Sequence, residues 1–189
     1  MKTIFSWLFC LVISVSTLYG AEAQAVTYTV SGSVSGLAAG KTVILKNNTN
    51  TVLVSSTSSS FTFPAQTAGT SWNVAVAIQP SGQVCSVTNG SGTNISSNIS
   101  NVAVTCAATY TVGGTVTGLT SGALVLRMGT ITLVVNGGTN TFKFATGLKN
   151  ATAYTVLTAI QPPGFQCVAS NNIGVISNAN VSNIGITCA

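Results

Sequence analysis

Four cysteines are the residues of this chain best equipped for chemistry. Cys85 and Cys106 lie 21 residues apart, Cys167 and Cys188 repeat that spacing, and the two pairs are offset by 82. The first cysteine of each pair follows a Gln-Pro turn, in "AIQPSGQVCSV" from Ala77 and "AIQPPGFQCVA" from Ala159. A thiolate can attack a carbonyl, ligate zinc or cycle through a disulfide, but each role needs neighbours. A zinc site wants four Cys, His or carboxylate ligands, and the chain has no histidine and no C-x-x-C pair. A redox thiol wants a resolving partner or a lowered pKa, and the same absence argues against it. The remaining role is a staple. Four cysteines can pair in three ways, and the repeat favours Cys85–Cys106 with Cys167–Cys188, because each half then closes on itself. A loop of that length stabilises the fold by about 3 kcal/mol on the chain-entropy estimate.

The rest of the titratable inventory is as spare. Glu22 is the single acidic residue, and it sits in what reads as an export leader. Met1-Lys2 gives a positive start, and Ile4 to Leu18 is a mostly apolar run interrupted by Ser6, Ser14, Ser16 and Thr17. Ala21-Glu22-Ala23 and Ala23-Gln24-Ala25 both fit a small-residue cleavage site. We expect a signal peptide over residues 1–25, removed on export together with Cys10 and Glu22. Export in turn places the remaining cysteines where disulfides persist. The chain left behind has Lys41, Lys46, Arg127, Lys143 and Lys149 but no side-chain carboxylate or imidazole. General acid–base catalysis, two-carboxylate glycoside hydrolysis and carboxylate-rich calcium or magnesium sites all lose their groups. A Ser-Lys mechanism survives on paper, yet no lysine recurs at matched places in the two halves. The expectation is no catalysis, no cofactor, no metal and no membrane span after the leader.

Those cysteines are carried by a duplicated unit. Tyr28-Thr29-Val30 answers to Tyr110-Thr111-Val112, Gly36-Leu37 to Gly118-Leu119, and Gln79-Pro80 to Gln161-Pro162, all at 82 residues. Phe61 and Phe63 match Phe142 and Phe144 at 81, so small compensating indels lie in loops. Two modules are expected, over residues 26–107 and 108–189, with so short a link that the pair forms a semi-rigid rod. Within a module, "YTVSGSV", "TVILKN", "TVLVSS", "SFTFP", "WNVAVAIQP", "VCSVT" and "NVAVTC" alternate apolar with polar residues and favour Val, Ile, Thr and aromatics. Gly, Asn, Ser and Pro fill the gaps. The pattern predicts an all-β chain of two tandem Ig-like or transthyretin-like β-sandwiches, each of about seven strands.

Most aromatics recur in pairs, Tyr28 with Tyr110, Phe61 with Phe142, Phe63 with Phe144 and Trp72 with Tyr154, as core residues of a duplicated fold do. A carbohydrate platform would recur as well, so sugar binding stays open. Phe165 has no aromatic counterpart: Gln83 stands in its place. It is expected to fold over the cysteine pair, with a contact to a partner as the sharper alternative. Counted at the 82-residue offset, Lys41 falls opposite Ala123, Lys46 opposite Met128 and Arg127 opposite Leu45, so no cation repeats. A nucleic-acid reader would show a dense basic patch; here attraction to anionic envelopes or matrix polymers is the most the charge implies. Triplets such as Asn89-Gly90-Ser91 and Asn150-Ala151-Thr152 matter only in a host that glycosylates exported chains. With few charges to guard strand edges, self-association is physically easy.

The combined pattern "YTVSGSVSGL…TVILKNN…SFTFP…WNVAVAIQPSGQVCSVTNGSGT…NVAVTC" resembles the Ig-like or carboxypeptidase-regulatory-like repeats of bacterial exported and cell-surface proteins. The likeness covers both halves, with "QPPGFQC" and "NIGITC" as the variants in the second. It implies a β-sandwich spacer or adhesive module, extracellular or on the cell surface. A self-assembling fibre or matrix subunit and a carbohydrate-binding module are the alternatives. Related surface domains form Lys–Asn isopeptide bonds beside an acidic residue, and none is expected here.

Overall fold

The computed structural model describes residues 24–189. The expected signal peptide, with Cys10 and Glu22, lies outside the described residues apart from its last two positions. Nineteen strands and no helix make up the described residues. The first half contains β1 (Thr27–Tyr28), β2 (Val30–Ser35), β3 (Thr42–Asn47), β4 (Asn50–Ser55) and β5 (Ser60–Thr62). It continues with β6 (Gln66–Thr67), β7 (Trp72–Ile78), β8 (Gln83–Thr88), β9 (Ser91–Gly92) and the long β10 (Ile99–Tyr110). The second half repeats the order with β11 (Val112–Thr117), β12 (Ala123–Met128), β13 (Ile131–Asn136), β14 (Thr141–Lys143) and β15 (Leu148–Lys149). It closes with β16 (Ala153–Ile160), β17 (Cys167–Ser170), β18 (Ile173–Val175) and β19 (Val181–Cys188).

Each half builds two sheets. In the first, β8–β10–β2–β5 forms one sheet and β4–β3–β7–β9 the other; in the second, β17–β19–β11–β14 and β13–β12–β16–β18 correspond. Side chains alternate across a strand, and the apolar residues follow. In β3, Val43 and Leu45 are buried while Thr42 and Lys46 are exposed; β12 repeats this with Leu124 and Leu126 inside and Ala123 and Arg127 outside. Two separate cores result. One gathers Val30, Leu45, Phe63, Val102 and their neighbours, the other Val112, Leu126, Phe144 and Ile184 with theirs. Phe61 meets Phe63 edge to face at 5.6 Å, and Phe142 meets Phe144 likewise at 6.2 Å, a favoured aromatic geometry. All seven apolar runs read from the first repeat are strands, and each has a strand counterpart in the second. The short β1–β6 and β7–β9 pairings, and their counterparts β10–β15 and β16–β18, are additions with too few residues to show a period.

The first long strand of each half pairs in parallel with the strand that ends it. β2 lies beside β10, from Val30 opposite Ile99 to Ser35 opposite Thr105, and β11 lies beside β19 in the same way. Both ladders shift register near their start, and a glycine sits at each shift: a Cβ on Gly32 would collide with the Val102 carbonyl, and one on Gly114 with the Ile184 carbonyl. Gly36 and Gly118 end the opening strands with φ of 72° and 79° and lie against the Cys106 and Cys188 carbonyls. The expected boundary at residues 107 and 108 falls inside β10. Ala107 and Ala108 remain paired with Val84 and Gln83 of β8, and Thr109 and Tyr110 pair with β15. One strand therefore serves both halves.

Because backbone blocks the space at Gly114, Gly114→Ala is expected to cost about 3 kcal/mol in urea unfolding. Thr115→Ala, one residue on and facing solvent, should cost less than about 1 kcal/mol. Equal effects would show that the ladder tolerates a Cβ there.

Candidate functional site

The cysteines fall directly opposite one another on neighbouring antiparallel strands, Cys85 on β8 with Cys106 on β10, and Cys167 on β17 with Cys188 on β19. Both pairs are disulfide-bonded, with Cα atoms 3.9 and 4.0 Å apart, and all four residues are buried. Gln166 and Ala189 exchange both backbone hydrogen bonds, so the adjoining Cys167–Cys188 position is the closer, non-hydrogen-bonded kind. At such a position the backbone N–H and C=O of Cys167 point away from β19, toward the open edge of the sheet.

The repeated glutamine meets them there. Cys167 N–H donates to Gln161 Oε1 at 2.8 Å, and Gln161 Nε2 donates to the Cys167 carbonyl at 2.9 Å. Gln79 makes the same pair with Cys85, at 2.7 and 3.0 Å. A carboxamide presents one acceptor and one donor side by side, so it imitates a further strand for one residue. It caps an edge that would otherwise be open to pairing with another chain. The six-residue spacing from Gln to Cys was visible in the sequence; only the structure shows that the Gln-Pro turn folds the side chain back onto the cysteine backbone.

Among the described residues no Asp, Glu or His stands beside the disulfides. No group of three or more metal-ligating side chains occurs among the described residues. Lys41 Nζ donates to Ser81 Oγ at 2.8 Å, tying the first Gln-Pro turn to the loop before β3. Gln83 holds that loop too: its amide accepts from Ala38 N–H at 2.9 Å and donates to the Gly36 carbonyl at 2.8 Å. Its counterpart Phe165 is half-buried and packs against the second core. An apolar ring thus stands where the first half uses a hydrogen-bonding clamp.

The remaining candidates divide between structure and surface. Trp72 is half-buried on the first core with its ring over Gly92, and Tyr154 lies over Gly174 in the same arrangement. Trp72 Nε1 is shielded and has no hydrogen-bond partner. Asn89 and Asn171 adopt φ of 55° and 52° and donate to the Asn101 and Asn183 carbonyls, so both are turn residues. A shallow groove of about 610 Å³ runs over β11, β14 and β19 past Thr115, Thr141, Lys143 and Ser182; its one aromatic, Phe142, is buried. It presents hydroxyls and a cation but no stacking face for a sugar ring.

One reading of the sequence is corrected. Lys46 and Arg127 do repeat. Lys46 stands opposite Thr51 and Ala75, and Arg127 opposite Thr132 and Leu157, at the same point of β3 and β12. The loop before β12 is one residue shorter than the loop before β3, so the offset here is 81, and counting at 82 paired each cation with its buried neighbour.

No protein-family model matches the sequence, and no curated protein does. Among solved structures, a streptococcal ancillary pilin aligns at 13% identity over 86% of this chain and 63% of its own, with a TM-score of 0.40. Shaft pilin spaA of Lactobacillus rhamnosus GG aligns at 12% identity over 87% and 98%, with a TM-score of 0.32. A single B repeat unit of the collagen-binding surface protein of Staphylococcus aureus aligns at 14% identity over 86% and 98%, with a TM-score of 0.30. Scores this low carry no argument about the role of this chain.

Two outcomes are expected. Gln161→Ala removes both hydrogen bonds to the Cys167 backbone and leaves an edge peptide uncapped, and should cost about 1–3 kcal/mol in chemical unfolding; a change under a few tenths would mean that water replaces the clamp. Residues 24–189 contain no Asp, Glu or His, so folding in acid is not coupled to side-chain protonation. For the exported chain the unfolding free energy should stay level within about 0.5 kcal/mol from about pH 3 to 8. A steep loss below about pH 5 in urea titrations would contradict this.

Proposed function

We propose that this chain is an exported, non-enzymatic structural or adhesive element built from two disulfide-closed β-sandwich modules, acting on the cell surface or outside the cell. The observation that carries this reading is the parallel pairing of β2 with β10 and of β11 with β19. In a parallel pair the chain enters at one end of the ladder and leaves at the other. Tension between the ends then shears the ladder, stretching its hydrogen bonds together, whereas an antiparallel terminal pair would unzip them singly. The continuous β10 hands that tension from one module to the next without a flexible loop.

Three further facts support the reading. The cysteines are engaged with each other, the described residues hold no carboxylate or imidazole side chain for acid–base chemistry, and the sequence resembles Ig-like, carboxypeptidase-regulatory-like surface repeats. In this reading Phe165, at the rim of the second Gln-Pro turn, is the side chain offered for partner contact.

Negative-stain electron microscopy of the purified exported protein distinguishes this from a fibre subunit. Dispersed short rods are expected across salt concentrations; regular filaments would overturn the spacer reading in favour of self-assembly. Phe165→Ala should weaken attachment to the target surface while leaving the rods unchanged, and full retention of attachment would remove Phe165 from the account.

A further inference from the structure

The sheet β13–β12–β16–β18 turns Leu124, Leu126 and Val156 inward, and its other face is covered by nothing among the described residues. Aliphatic side chains line part of that outer face, interspersed with Thr132, Asn136 and Thr155. Val134, Val125 and Ile160 stand side by side across three strands, and the second module adds Leu157, Ile173 and Val175. Val134, Ile160 and Val175 are each about three-fifths exposed, and Ile173 is 71% exposed. The first module repeats the row with Leu53, Ile44 and Ile78, where Leu53 and Ile78 are 62% and 59% exposed. In both modules the row's central strand carries a cation two residues further on, Lys46 or Arg127, on the same outward face. Folding requires none of these exposures, and contiguous apolar surface of this kind marks contact with something else.

Charge selects the occupant. A second copy pressed face to face would bring cation against cation, and residues 24–189 contain no acidic side chain to neutralise either. The rows carry branched aliphatics without the Trp and Tyr anchors common at protein interfaces. Lys and Arg extend a charged head past an apolar stem, so a cation next to an aliphatic row suits a boundary where hydrocarbon meets negative charge. Each such residue near an anionic leaflet adds attraction, and no acidic side chain among the described residues opposes it.

We propose that each of these outer sheet faces is an adsorption surface for an anionic lipid bilayer, its aliphatic row resting at the acyl boundary and Lys46 or Arg127 reaching the headgroup phosphates. The inference rests on surface chemistry and holds whether or not the modules act as a spacer.

Co-sedimentation of the purified protein with vesicles tests it. Equimolar phosphatidylglycerol and phosphatidylcholine should pellet the protein, with affinity at least tenfold above pure phosphatidylcholine and falling as salt is raised. Replacing Leu157, Ile173 and Val175 together by Thr keeps strand-compatible residues at exposed positions. That variant should melt like the wild type and bind roughly tenfold more weakly. Lys46→Ser with Arg127→Ser should lower the anionic preference by roughly tenfold or more, and it carries the test alone if the first variant does not fold. No pelleting with either vesicle, or unchanged binding by both variants, overturns the proposal. So does a wild-type dimer in sedimentation equilibrium that the triple variant renders monomeric, since a second copy would then cover the face.

Discussion

The structure depends on two strands distant in sequence lying side by side and running the same way. β2 and β10 are separated by the rest of their module, as are β11 and β19, so each ladder forms only after the intervening chain has been placed. Loop closure sets the entropic cost of such pairing, and sterics set its geometry. Gly32 and Gly114 let the last strand approach so closely that any side chain would strike its carbonyls. Once formed, the ladder fixes where the chain enters and leaves, and so makes end-to-end stringing of modules possible.

The cysteine pairs reinforce that arrangement from the flank. β8 and β17 lie on the far side of the closing strands, and each disulfide joins the closing strand to this outer neighbour. The glutamine then covers the outer neighbour's backbone where the disulfide position leaves it bare. Sheet order therefore runs from ladder to staple to cap. A residue type that elsewhere attacks, ligates or shuttles electrons is here enclosed, bonded and capped.

What the sequence displayed was what depends on neighbours along the chain. Alternation in "TVILKN" gave β3 as a strand, because period two is local, and the duplication carried the expectation to the second half. The staple was legible because duplication supplied an internal comparison. Parallel pairing of first and last strands was not, since no periodicity encodes which strands become neighbours. The amide clamp was hidden because a glutamine in a turn has many unremarkable uses. The shared position of Lys46 and Arg127 was hidden by a one-residue loop difference. The short link was read from the sequence, but not that Ala107-Ala108 is itself strand, paired because β8 runs on far enough to reach it.

Force spectroscopy of the purified chain, pulled from its two ends, addresses the central claim that two sheared, stapled modules are joined in series. The account predicts two unfolding events, each lengthening when the protein is reduced. The disulfides hold 21 residues apiece out of extension, so each event should gain about 70–75 Å of contour. A single event, or contour lengths that reduction leaves unchanged, would contradict it.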